Sequence, residues 1–325
     1  MRAIVCEDLG PLDRLRLTEV PDPVPGPGDV LVDVEAAGVN FVDALFVQGL
    51  YQIKPPVPFT PGGEVAGTVA AVGGDVRHVE VGARVLVSCG LGGYAERVVA
   101  PARAAVVLPD RLDAPRAATF TQNHSTMLYA LRDRGALRSG ESVLVLGAGG
   151  GIGLAAIALA KVFGAKVVAA ASSAAKRDLA RTAGADEVID TSAADVKTAA
   201  REWSGGGVDV VVDPVGGDLA EPALRALGEG GRYLVIGFVA GIPRLPLNQV
   251  LLRNRTVVGV DWGAWAGREP DGQRLILADL LAMVADGRIV PPEPTTYPLG
   301  RAVDALTDLS ERRAAGKLAL VPART

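Results

Sequence analysis

The segment Leu146-Gly147-Ala148-Gly149-Gly150-Gly151-Ile152-Gly153-Leu154 follows the apolar run Glu141-Ser142-Val143-Leu144-Val145-Leu146 and leads into an Ala-rich stretch. A buried strand, a glycine-rich turn and a helix in that order narrow the choice of fold sharply, because they form the first unit of a dinucleotide-binding parallel sheet. Glycine lets the backbone turn tightly and approach a pyrophosphate, whose charge is held by unpaired N–H groups at the positive end of the following helix. In the strict G-x-G-x-x-G spacing Ala148 occupies the first place and Gly150 and Gly153 the others. The residues expected to cradle the phosphates are Gly147, Gly149, Gly150, Gly151, Ile152 and Gly153.

The second strand, over 166–171, bears on which dinucleotide is bound. An Asp or Glu at its end would hold a ribose 2′-OH, whereas a 2′-phosphate calls for cations and hydroxyls instead. The sequence runs Val167-Val168-Ala169-Ala170-Ala171-Ser172-Ser173-Ala174-Ala175-Lys176-Arg177, with no acid. Ser172 and Ser173 can hydrogen-bond a 2′-phosphate while Lys176 and Arg177 bring charge, so NADPH is expected over NADH.

Around this unit, apolar strand runs alternate with helical stretches from about 117 to 264. Helices are expected at 151–163, closed by Gly164, and at 174–183, closed by Gly184; further strands are expected at 208–212, 232–236 and 256–260. Before it, Val-rich segments at 29–36, 64–72 and 83–87 alternate with period two between Gly and Pro turns, which predicts a compact, mostly β domain, with 21–28 as a rigid surface turn. After it come a helix over 272–285 and a strand over 317–321. So short a tail must pack on an existing core, and it is assigned to the first domain. The boundaries are thus 1–116 with 265–325, and 117–264.

The 33 basic residues are scattered among 37 acidic ones, for a net charge of −4, which argues against a nucleic-acid partner. The apolar run from Leu154 breaks at Lys161, well short of the roughly 20 residues needed to span a bilayer. No membrane association and no export signal are expected. Two cysteines, Cys6 and Cys89, suit the reduced cytoplasm, and with only His78 and His124 beside them no metal site is expected.

Several segments together resemble zinc-free quinone oxidoreductases (NADPH:quinone reductases) of the medium-chain dehydrogenase/reductase superfamily. They are Asn40-Phe41-Val42-Asp43, Gly49-Leu50-Tyr51, Pro58-Phe59-Thr60-Pro61-Gly62-Gly63-Glu64-Val65-Ala66-Gly67, the glycine-rich turn, Ala183-Gly184-Ala185-Asp186-Glu187-Val188-Ile189-Asp190 and Gly316-Lys317-Leu318. The resemblance runs nearly end to end; 245–265 is matched least, although Val258-Gly259-Val260-Asp261-Trp262-Gly263 is similar to a subgroup. It implies an α/β protein in which a GroES-like, mostly-β catalytic domain is interrupted by a Rossmann doubly wound parallel-sheet domain. Zinc-dependent members carry a Cys in the segment aligned to Asn40–Asp43 and a His before the Glu of a Gly-His-Glu motif; Gly63 stands in that place here, and the four-Cys lobe is missing after Leu86. The resemblance places Asn40 and Tyr51 at the catalytic site. It places Asn40 near the nicotinamide ribose, Thr126 by the nicotinamide and Lys317 with the cofactor. Asp213–Gly217 and Gly237-Phe238-Val239 stand at the ends of sheet strands, where a parallel sheet presents loops to the cofactor, and are expected on its nicotinamide side. Glu64 is left with a structural hydrogen bond, and His124 is not counted as catalytic. A second tyrosine present in some relatives is Leu45. The implied activity is zinc-independent, NADPH-dependent hydride transfer to a quinone or an α,β-unsaturated carbonyl. An enoyl-thioester (enoyl-CoA type) reductase and a non-catalytic NADPH-binding protein remain as alternatives. By the same resemblance the chain pairs into a homodimer through the strand at 256–260.

Overall fold

A computed structural model describes residues 1–323. The chain forms two compact units, Met1–Gln122 together with the chain from Pro291 onward, and Asn123–Val290.

In the first unit β1 (Arg2–Val5) pairs antiparallel with β2 (Arg16–Glu19). The main sheet is organised by β3 (Asp29–Val39), which pairs antiparallel with β4 (Glu64–Val72) and with β6 (Arg97–Pro101); β5 (Arg84–Ser88) and β7 (Ala105–Val107) continue beyond β4. Val30, Val32, Val34, Val65, Val69, Val85 and Val87 from these strands share one core with Tyr94, Leu318 and Leu320. β-Branched side chains at alternate positions pack well on a pleated face, which is why the Val-rich segments are strands.

The second unit is a six-stranded parallel sheet: β8 (Ser142–Leu146), β9 (Lys166–Ala171), β10 (Glu187–Asp190), β11 (Val208–Asp213), β12 (Leu227–Val235) and β13 (Thr256–Gly259). Its spatial order is β10-β9-β8-β11-β12-β13. The order reverses beside β8, and in open α/β sheets ligands bind at that point, outside the carboxyl ends of the strands. The glycine-rich turn sits there, followed by the helix Gly151–Val162. β12 begins five residues before the expected 232: Gly228, Gly230 and Gly231 hide the strand pattern, and Leu227 pairs with Val208 of β11 ahead of an irregularity, while the pairing with β13 starts at Arg232.

The chain returns to the first unit with β14 (Thr295–Pro298) and β15 (Leu318–Val321), and β15 pairs antiparallel with β3. The return lies at Val290/Pro291, where the sequence alone suggests 264/265. The reason lies in the intervening helices, Trp262–Arg268 and Pro270–Ala285, which are held inside the second unit: Trp265 stacks on Tyr129, and Arg132 is paired with Asp279 at 2.8 Å. Among the described residues no helix is long and apolar enough to cross a membrane.

Candidate functional site

In the first unit, five polar side chains meet where β3 ends and the helix Phe41–Gln48 begins. Asn40 Nδ2 donates to Glu64 Oε1 at 2.8 Å, and Asn40 Oδ1 accepts from Lys317 Nζ at 2.6 Å. Lys317 also donates to the Val39 carbonyl at 3.1 Å and stands 3.7 Å from Glu64. The second oxygen of Glu64 accepts from the Gln122 backbone N–H at 2.9 Å. Both heavy atoms of the Asn40 amide are therefore engaged, and its orientation is set from two sides.

Beneath this lies Asp43, 1 % exposed, whose Oδ2 accepts from the Asn40 backbone N–H and from the Tyr94 hydroxyl, each at 2.8 Å. Its Oδ1 has no partner among the described residues. Burial pushes the Asp43 carboxyl up to about 6, against the pull of those two bonds and of Lys317. Burial likewise lowers the Lys317 ammonium, opposed by Glu64 and Asp43, and raises the Tyr94 phenol and the Cys89 thiol, the latter to about 12.

Two glycines make room for the group. A side chain at Gly38 would meet the Ala118 carbonyl at 2.1 Å and Glu64 at 2.7 Å; one at Gly62 (φ 97°) would strike the Tyr94 ring at 2.4 Å. The motif Pro61-Gly62-Gly63-Glu64 thus seats a tyrosine and a carboxylate. Asp43 and Tyr94 went unassigned in the sequence, and the only trace of their pairing is the glycine opposite the ring. Lys317, expected at the cofactor, stands in the Asn40 cluster. Tyr51 is half-buried after the Phe41–Gln48 helix, its ring edge-on to Phe46 with centroids 5.0 Å apart.

In the second unit the turn after β8 has the geometry that an anion needs. Gly147 adopts φ 60°, Ala148 N–H bonds Ala170 O at 3.1 Å, and Gly150 N–H bonds Gly147 O at 3.0 Å. The helix Gly151–Val162 starts at Gly150 without a capping side chain, so its first-turn N–H groups, those of Gly151, Ile152 and Gly153, face outward with no side-chain acceptor among the described residues. At Gly149 a β-carbon would fall 2.4 Å from Lys176 Cβ. The missing side chain therefore lets the start of the helix Ala174–Thr182 close up to the turn, bringing together two segments that the sequence separates.

Of the four residues proposed for a 2′-phosphate, Ser172 is exposed at the end of β9. Ser173 caps the helix, its side chain accepting from Lys176 N–H at 3.4 Å, and Lys176 lies against the turn. Arg177 is turned elsewhere: it pairs with Asp190 at 3.0 Å and donates to Ala171 O at 3.3 Å. Asp213, at the end of β11, spends its buried carboxylate on its own loop, accepting from Val215 and Gly216 N–H at 2.7 and 2.8 Å and from the Tyr233 hydroxyl at 2.5 Å. Gly237 and Phe238 follow β12, with Phe238 exposed. Thr126 is buried on the helix Thr121–Leu128, which passes into a π-helix at Tyr129–Arg134.

An outward-facing set of N–H groups, a turn without side chains, and hydroxyl and ammonium groups beside it fit the diphosphate and 2′-phosphate of NADPH. A divalent metal finds less: among the described residues no cluster of three or more His, Cys, Asp or Glu could hold one.

The chain matches two families, zinc-binding dehydrogenase over residues 151–277 and the alcohol dehydrogenase GroES-like domain over 26–110. It is 37% identical to quinone oxidoreductase-like protein 2 of Bos taurus over 323 residues, covering 98% of this chain and 92% of that protein. Among solved structures, a probable oxidoreductase from Mycobacterium abscessus is 40% identical with a TM-score of 0.89 and 99% of each chain covered. The Escherichia coli quinone oxidoreductase, solved in complex with NADPH, is 29% identical with a TM-score of 0.90, covering 99% of this chain and 100% of that one.

Proposed function

Because this chain belongs to the quinone oxidoreductase family of the medium-chain dehydrogenase/reductase superfamily, we propose that it is an NADPH-dependent reductase that delivers hydride to a quinone or an α,β-unsaturated carbonyl without a metal. The observation that carries the reading is the uncapped first turn of Gly151–Val162 at the switch point of the sheet, beside a second strand that is followed by Ser172 rather than an acid. The bound nicotinamide supplies the hydride; the protein binds and orients it. Asn40, held by Lys317 and Glu64, keeps one amide hydrogen for a ligand oxygen, and the Tyr51 phenol is the proposed donor to the acceptor as negative charge develops on it.

The donor set supports the reading that no zinc takes part. Asn40 begins the segment where metal-dependent members carry a thiolate, Gly63 replaces their histidine, and both oxygens of Glu64 already accept hydrogen bonds. A quinone or enone delocalises the incoming electron pair, so no Lewis acid is required.

The expected result is oxidation of NADPH on adding 1,4-benzoquinone, followed at 340 nm, with a KM for NADPH at least about tenfold below that for NADH, or about 1.4 kcal/mol. Turnover with enoyl thioesters alone would reassign the acceptor. Tight NADPH binding without turnover on quinones, enones or thioesters would make the protein a non-catalytic binder.

We further propose a homodimer. β13 ends the sheet, and Val257, Leu247, Leu251 and Leu252 on or near that edge are exposed. An open apolar edge strand needs cover. A monomer's mass by light scattering at micromolar concentration would overturn this assignment.

A further inference from the structure

Trp262 and Trp265, at the end of the segment 245–265 that the resemblance matches least, act together with Gln273 to latch the helix that carries Thr126. The Trp265 indole stacks on Tyr129 with ring centroids 4.5 Å apart and planes inclined by 21°. On the helix Pro270–Ala285, Gly272 lies so close to the indole that a β-carbon there would come within 2.9 Å of Cζ2 and 3.1 Å of Cη2. Trp262 Nε1 donates to Gln273 Oε1 at 2.7 Å, and Gln273 Nε2 donates to the fully buried Ser125 Oγ at 3.2 Å.

Ser125 and Tyr129 are four residues apart, hence neighbours on one helix face, and they bracket Thr126. The latch grips the place where α-helical pairing gives way to the π-helix Tyr129–Arg134. Such π segments occur mostly as short insertions in α-helices, often at functional sites. Farther along, Arg132 pairs with Asp279 and Arg134 Nε donates to Gly259 O at 3.1 Å, so the whole irregular turn is held from outside.

We propose that Trp262, Trp265 and Gln273 are positioning residues for the cofactor: they fix Ser125 and Tyr129, and through them the placement of Thr126. The inference rests on the reading that Thr126 meets the nicotinamide end of NADPH. A shift of even about 1 Å in a group that aligns reactants costs orders of magnitude in rate, so a clamp on the flanking residues acts on catalysis as well as on stability.

The test uses full-length Gln273→Leu, Gln273→Glu, Trp265→Phe and Thr126→Val proteins and the double variant Gln273→Leu/Thr126→Val. NADPH affinity is read by fluorescence titration, kcat and KM by turnover with NADPH and 1,4-benzoquinone, and Tm by melting. Gln273→Leu is expected to raise the NADPH KM roughly tenfold, the equivalent of about 1.4 kcal/mol. Gln273→Glu restores it to within about twofold, because a carboxylate accepts from both the Trp262 N–H and the Ser125 O–H. The double variant should be no worse than Thr126→Val alone, since the latch acts through a residue already removed. The proposal is overturned if Gln273→Leu and Trp265→Phe lower Tm but leave KM and kcat unchanged, or if the effects of Gln273→Leu and Thr126→Val simply add. An unaltered KM and kcat in Thr126→Val would sink the parent reading of Thr126 and the latch with it, whereas an impaired Thr126→Val beside a normal Gln273→Leu would sink the latch alone.

Discussion

Gly153→Val is expected to abolish useful NADPH binding, raising Kd at least about a hundredfold, or about 2.7 kcal/mol. A β-carbon at Gly153 would lie 2.4 Å from the Gly147 carbonyl oxygen and 2.6 Å from Ala148 Cα. Both obstacles are backbone atoms of the glycine-rich turn, so neither can swing aside as a side-chain tip would. The helix must back away from β8 or the turn must open, and either movement scatters the first-turn N–H groups that would hold the diphosphate. Overpacking of this kind also costs about 1–3 kcal/mol of stability, so the comparison belongs at a temperature well below the melting transition of the variant. Gly28→Ala, in the first unit with nothing among the described residues within 4 Å of its added carbon, is the control and should bind NADPH normally. Fluorescence titration of the two variants decides the matter: an unchanged Kd in Gly153→Val would mean that the nucleotide does not use this turn.

Lys317→Met should have the next largest effect. Lys317, 7 % exposed, is the cation of a buried group that contains two carboxyl side chains, Glu64 and Asp43. Removing one partner from a buried charge cluster typically costs about 3–5 kcal/mol, because the remaining charge has neither solvent nor counter-ion. Tm is therefore expected to fall by at least about 6 °C, and turnover by about tenfold or more as the Asn40 amide loses one of its two anchors.

The pH dependence of the same variant follows from Asp43. Its carboxyl titrates at about 6 in the folded chain against 3.8 ordinarily, so the fold retains a proton that the unfolded chain has already lost. The stability linked to this group is accordingly greatest in acid and declines as pH rises through that window. Lys317 pulls the Asp43 value down, so without it the window reaches higher and the Tm gap between variant and parent widens from about pH 5 to about pH 8. A gap that stays flat across that range, or a variant as stable as its parent, would show that the cluster is not held by charge.

Much of the dinucleotide-binding unit is legible in the sequence because its signals are local. The Val-rich run 208–212 is a strand buried on both faces, the glycines at 164 and 184 close their helices through left-handed backbone at φ 77° and 107°, and the absence of an acid after β9 is read directly. Arg177 shows where such reading stops. Its charge and position suit a phosphate, yet Asp190 on the neighbouring strand claims the guanidinium, and that neighbour is set by the parallel register of β9 and β10. The span 261–290 shows it again: the helix expected over 272–285 is plain, the short helix Trp262–Arg268 is not, and the unit the span joins depends on Trp265, Gln273 and Asp279 finding partners near residue 130.

The sequence by itself determined the parallel sheet, the glycine-rich turn and the β character of the first unit, since hydrophobic period and glycine's backbone freedom act over a few residues. Only the tertiary structure decided the polar cluster around Asn40. Asn40 meets Glu64 across 24 residues and Lys317 across 277, and Tyr94 reaches Asp43 across 51. The register that sets Ala37 opposite Val65 and Leu318 opposite Val39 makes those meetings. Such register is fixed by the burial of one shared core, to which each strand contributes only part.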